Sequence, residues 1–164
     1  KRHNVVKGIG KPDAKIMFVF DHPRMRQDKT GLFISDPNIR KLIGHLSDHG
    51  FNEFNAYYTF LIKCRPLNVD YLSYKNISIC ANNHLSKEYK VNNVDKQIIV
   101  AVGPIVANYM LHGMRYKYFT PYKIGSAMIV IPSHVALVKG SDNFRKKLSI
   151  ITDVYNGLSN RSYV

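Results

Sequence analysis

Short, unbroken apolar runs separated by amphipathic stretches constrain most strongly what this chain can fold into. Lys15 to Phe20 (KIMFVF), Gln97 to Val102 (QIIVAV) and Ala127 to Ile131 (AMIVI) are strand-length and carry little polar alternation. Such runs predict strands buried on both faces. The aromatic-rich stretch Phe54 to Ile62 predicts a fourth strand. Between them, Asn38 to His49 places Ile39, Leu42, Ile43 and Leu46 at i, i+3, i+4, i+7, the stripe of a helix, with Gly50 as its stop. Further helices are predicted over Ile77 to Tyr89 and, opened by Gly103-Pro104, over Ile105 to Leu111. Phe144, Leu148, Ile151 and Tyr155 mark a last one. Strands alternating with helices at this spacing predict an α/β domain: three layers, α/β/α, with a central, mostly parallel four-stranded sheet. One domain over residues 1–164 is long enough to bury its own core. In such sheets ligands bind beyond the carboxyl ends of the strands. The loops Asp21–Thr30, Lys63–Asp70 and Pro132–Ser141 therefore become the candidate site.

Charge narrows the partner. Lys and Arg number 24 against 11 Asp and Glu, a formal net charge of +13 with pI near 9.8. An excess of that size suits a polyanion, because neutralising phosphates releases their counterions. A membrane surface would call for a basic amphipathic helix with a bulky apolar face, and none is visible at either terminus. No apolar run approaches a bilayer's thickness, and no charged-then-apolar leader precedes the first strand. A hydrophobic content of 45% argues against disorder. The chain opens on Lys1, so it could be a domain of a longer polypeptide. Two cysteines and no leader fit a reducing compartment: the cytoplasm of a bacterium or phage-infected host, or its nucleoid.

Three stretches then carry a family resemblance. Gly8-Ile9-Gly10-Lys11-Pro12-Asp13-Ala14-Lys15 leads into a strand and on to Asp28-Lys29-Thr30-Gly31 and Phe33. A second strand runs into Lys63-Cys64-Arg65-Pro66, with Cys80 sixteen positions beyond Cys64. Ile98 to Gly103 (IIVAVG) is followed by a helix, a strand and Ser133-His134-Val135-Ala136-Leu137-Val138-Lys139. Together, over about Val5 to Tyr155, they resemble the family 4 uracil-DNA glycosylases, the iron–sulfur branch of that superfamily. The resemblance implies an enzyme that extrudes uracil from duplex DNA and hydrolyses its glycosidic bond. That chemistry needs a group to place water, an amide to read the base edge, an aromatic ring to stack on the base and a donor for the charge left on it.

The departures from the family pattern are as informative. Where the family has Gly-Glu-Ala-Pro-Gly, this chain has Phe20-Asp21-His22-Pro23-Arg24. Asp21 keeps a carboxylate, one methylene shorter. The uracil-reading Asn, three residues before the Lys of Lys-Cys-Arg-Pro, is Phe60. The His of the family's last motif falls on Ser133, with His134 one position later. Phe33 fits the stacking aromatic. The resemblance thus implies Asp21 and His134 as the catalytic candidates and His22, Pro23, Phe33, Phe60 and Ser133 as the base pocket. Arg24, Lys63, Arg65, Lys139 and Arg145 are the candidate DNA contacts. It also implies a [4Fe–4S] cluster on four cysteines, of which Cys64 and Cys80 match the last two; the first two would fall before Lys1. Read by themselves, the two thiols fit small core residues as well as ligands.

Outside these stretches, Arg115 to Lys123 (RYKYFTPYK) interleaves basic and aromatic residues, either a strip for unpaired bases or a hairpin with half-buried tyrosines. Three functions follow as expectations. The first is a DNA-binding domain of glycosylase fold, in replication or repair, with a degraded or redirected base-excision pocket, docking replication or repair proteins. The second is a working glycosylase using Asp21, Phe33 and His134 on uracil or another modified pyrimidine. The third is a protein-interaction module of a viral replication or anti-defence system.

Overall fold

The computed structural model describes residues 4–91, 94–130 and 142–160. Its centre is a sheet in the order β1-β3-β2-β6-β8-β7. The four inner strands are β3 (Ala56–Phe60), β2 (Ile16–Phe20), β6 (Ile98–Val102) and β8 (Ala127–Val130), and all three pairings among them are parallel. Every residue of β2, β3 and β6 is buried, as unbroken apolar runs demand. The register sets Phe20 beside both Phe60 and Val102, so the carboxyl ends of three strands finish level.

The sheet has six strands rather than the expected four. β1 (Ile9–Gly10) adds antiparallel to β3, and β7 (Pro121–Ile124) adds antiparallel to β8. β1 is two residues long, too short for any periodic signal. β7 reads Pro-Tyr-Lys-Ile with alternating exposure, the pattern of an edge strand, so the end of the Arg115–Lys123 stretch enters a hairpin with β8 while Tyr118, before it, stays exposed. A separate two-stranded ribbon joins β4 (Lys90–Val91) to β5 (Val94–Asp95).

Side-chain alternation divides the core in two. Ile16, Phe18, Phe20, Tyr58, Phe60, Val100 and Val102 face Ile39, Leu42 and Leu46 of α2 (Pro37–Asp48) and Leu148 and Ile151 of the last helix (Asp142–Asn160). Met17, Val19, Tyr57, Ile99, Ala101 and Ile129 face the other layer. There α3 (Tyr74–Cys80) passes through a π turn (Ala81–Leu85) into α4 (Ser86–Tyr89), beside α5 (Pro104–Met110). Three layers are therefore present.

Local chemistry fixes the elements near the carboxyl ends. Asp36 caps α2, its carboxylate accepting from the amides of Asn38 and Ile39 at 2.9 and 3.1 Å, with Pro37 in the first turn. The helix ends in a Schellman turn: the Phe51 amide donates to the Leu46 carbonyl and Gly50 takes φ +91°. Asp21–Thr30 is not all loop. Met25–Thr30 forms α1, started by the Gln27 side chain accepting from the Arg24 amide at 2.8 Å and stopped by Gly31 at φ +72°. Its six residues, MRQDKT, show no apolar stripe, so the pattern concealed it. The first strand's aftermath is thus a turn, Asp21–Arg24, between a strand end and a helix start.

Candidate functional site

At the carboxyl ends of β2 and β3 the chain encloses a cavity of about 310 Å³. Phe20 and Phe60 form its floor, Asp21, His22 and Arg24 one wall, and the start of α2 with Asp36 the other. The strands bring these groups together because Phe20 and Phe60 are register partners and Asp21 is the next residue out.

Asp21 is held rather than loose. One carboxylate oxygen accepts from the His22 amide at 2.8 Å; the other lies 3.8 Å from His22 Nε2 and 3.9 Å from Arg24 Nη2. His22 is buried, and its Nδ1 lies 3.1 Å from the Pro23 carbonyl. A carbonyl only accepts, so that bond puts a proton on Nδ1. Nε2, facing Asp21, is then a lone pair in the neutral ring and a second donor in the charged one. Pro23 is buried and serves the site through this carbonyl. Arg24 is on the exposed rim, its side chain 56% accessible.

Beneath them the pocket floor is aromatic. Phe33 and Phe60 are 2% and 1% exposed, with ring centroids 4.5 Å apart and planes tilted 35°. Phe20 packs edge-on to both, at 5.9 and 6.2 Å. Phe33 is therefore no open platform: its neighbour is Phe60, which neither donates nor accepts a hydrogen bond. Gln27, also fully buried, fixes Phe33 by donating from Nε2 to its carbonyl at 2.5 Å.

Lys63 is corrected by the structure. Expected at phosphate, it is 1% exposed, and its ammonium is bound to Glu88 of α4 at 2.5 Å and to the Thr59 hydroxyl. Glu88 also accepts from Thr59 at 2.6 Å and from the Tyr57 hydroxyl at 3.2 Å. Burial holds the Lys63 ammonium below the usual lysine range, a shift that Glu88 partly reverses. This lysine ties β3 to the opposite helical layer. Arg65, half-buried, remains near the surface. Ser133, His134 and Lys139 lie outside the described residues. Arg145 falls within the last helix, in a part whose side chains lie outside the described set.

Cys64 and Cys80 do converge. Both line a cavity of about 610 Å³ that also contains His84, and the Lys63 amide donates to Cys80 Sγ at 3.3 Å. A [4Fe–4S] cluster requires four thiolates. Among the described residues no group of three His, Cys, Asp or Glu is placed to hold a metal ion. The donor set present is two thiols, half of what the cluster needs.

Sequence patterns missed Asp36, Gln27 and Glu88. Asp36-Pro37 is a readable cap signal, whereas Gln27 and Glu88 matter through contacts distant in sequence or hidden in a short helix. Among the described residues no helix is long and apolar enough to cross a membrane.

Two comparisons bear on this arrangement. Residues 7–154 match the family model described as the uracil DNA glycosylase superfamily. Over 114 residues the chain is 27% identical to the type-4 uracil-DNA glycosylase of Thermotoga maritima, covering 70% of this chain and 58% of that relative.

Proposed function

We propose that this chain, which belongs to the uracil-DNA glycosylase superfamily, holds DNA through that fold while its base pocket no longer reads uracil. The observation that carries the reading is the Phe33–Phe60 contact. The ring that would stack on a base already packs, fully buried, against the residue standing where the family reads the base edge. A base entering the cavity beside them would meet the Phe20 and Phe60 rings where the family places its base-reading Asn. The +13 charge supplies the affinity for phosphate, with Arg24 on the pocket rim and Arg65 beside the second strand's end as contacts. Lys139 and Arg145 belong to the same reading from sequence. The chain's setting would be a replication or repair assembly, inside the cell, with replication or repair proteins as neighbours.

A second reading, an active glycosylase, is favoured by one observation. Asp21 lines a cavity, is partly exposed and is oriented by His22 and Arg24, as a water-placing carboxylate would be. It would call on His134, since the charge-stabilising position is Ser133. Loss of one such donor costs about 10²–10³ in rate.

Binding of a fluorescent duplex over a salt series tests the first reading. Salt-sensitive binding is expected; its absence sinks the proposal. A uracil-containing oligonucleotide, incubated with the protein and treated with alkali, separates the two. An intact strand supports the first reading. Strand breaks that vanish in Asp21→Ala establish the enzyme.

A further inference from the structure

The basic and aromatic residues before and within β7 are not absorbed by the pocket. Pro121 pairs with Val130, the last residue of β8, so the segment leading into β7 arrives at the carboxyl end of the sheet. That is the end where Asp21 and Phe60 lie. From β3 to β7 the sheet crosses four strand spacings. At ~4.8 Å each this is about 19 Å, the length of roughly six stacked nucleotides at ~3.4 Å.

The segment is built to expose one ring. Phe119 adopts a left-handed backbone, φ +58°, and buries its side chain, while its neighbour Tyr118 stays 52% exposed. An aromatic residue in that conformation costs on the order of 1–3 kcal/mol, and such strain concentrates at binding sites. Tyr116, half-buried, braces Tyr118 edge-to-face at 5.7 Å and 74°. The Tyr122 hydroxyl accepts from the Lys117 amide at 2.7 Å and fixes the turn. Arg115, Lys117 and Lys123 of the same stretch are exposed. From Lys96 to Ser141 the chain contains no Asp or Glu, so no acidic residue of this stretch offsets them.

We infer that Tyr118, with Arg115, Lys117 and Lys123, is a second nucleic-acid surface, a stacking platform for unpaired bases continuous with the pocket end of the sheet. It rests on the DNA-binding reading above and deepens it by naming single-stranded nucleic acid as the ligand here. A duplex keeps its base faces stacked and cannot use the exposed ring; a single strand can. Charge complementarity argues for this occupant over a peptide strand added to the free edge of β7.

The test is fluorescence anisotropy of the full chain with labelled oligothymidylate and, in parallel, a labelled duplex. Stacking contributes ~1–3 kcal/mol per base, so Tyr118→Ala should weaken oligothymidylate binding about 5- to 150-fold and leave the duplex within twofold. Tyr118→Phe should keep wild-type affinity. Lys117→Ala should lower the salt slope on the single strand by about 0.7. Unchanged oligothymidylate affinity in Tyr118→Ala overturns the inference, as does equal weakening on both ligands. Wild-type protein that binds duplex but not oligothymidylate also overturns it, leaving the edge to a peptide. Binding of neither ligand overturns this inference and the DNA-binding reading together.

Discussion

Lys63 shows how far a residue can depart from its sequence-level reading. Its ammonium is buried against Glu88, so removing that carboxylate strands a charge. Glu88→Gln should cost about 3–5 kcal/mol, measured by urea unfolding. Replacing Lys63 by Met should cost less, since the more exposed Glu88 can turn to water. A loss under ~1 kcal/mol in Glu88→Gln would contradict the anchoring role. Tyr57 and Tyr58 supply a pH test. Burial raises both phenols well above their ordinary value of about 10. Folded pKa above unfolded means their stabilising contribution is whole below pH 10 and lost as pH climbs toward the folded value. Lys63, shifted down, acts oppositely: the unfolded chain holds the extra proton below its ordinary value, so its term rises with pH. Tyr58→Phe should therefore flatten the alkaline loss of stability seen above pH 10. It should also cost ~1–2 kcal/mol near neutrality, because the Phe51 carbonyl loses its 2.6 Å donor. An unaltered alkaline profile would remove Tyr58 from the explanation.

At the scale of elements, α2 positions the cavity wall through its cap. Asp36→Ala should lower stability by ~1 kcal/mol, a fall of about 2–4 °C in Tm, with α2 otherwise intact. No change would mean that Pro37 alone sets the helix start. α2 was legible because Ile39, Leu42 and Leu46 repeat at helical spacing and Gly50 closes it. β2 and β6 were legible because burial on both faces leaves nothing polar in them. α1 was not, since a six-residue helix fixed by Gln27 and Gly31 has no apolar face to display. β1 and β7 escaped for the opposite reasons of shortness and edge polarity. In the site, Asp21 and the aromatic substitution at Phe60 were readable from the family resemblance. That Phe33 and Phe60 touch was not, because the contact joins a short helix after β2 to the end of β3. Nor could spacing reveal that Lys63 turns away from the surface, a choice made by a glutamate on the far layer.

At the scale of the molecule, the sheet's carboxyl end carries an aromatic-floored cavity with an arginine on its rim, on a chain whose net charge is +13. A surface engaging six phosphates would lose about a thousandfold in affinity between 50 and 200 mM salt. A flat salt dependence would assign the charge to something else. The claim that matters most is that DNA is held without a base being taken in. The direct measurement is the anisotropy of two duplexes that differ only by uracil or thymine at one position, titrated at fixed salt. With Phe60 against Phe33, the two should bind with equal affinity within twofold. A preference of tenfold or more for the uracil duplex would show that the pocket reads the base and contradict the account.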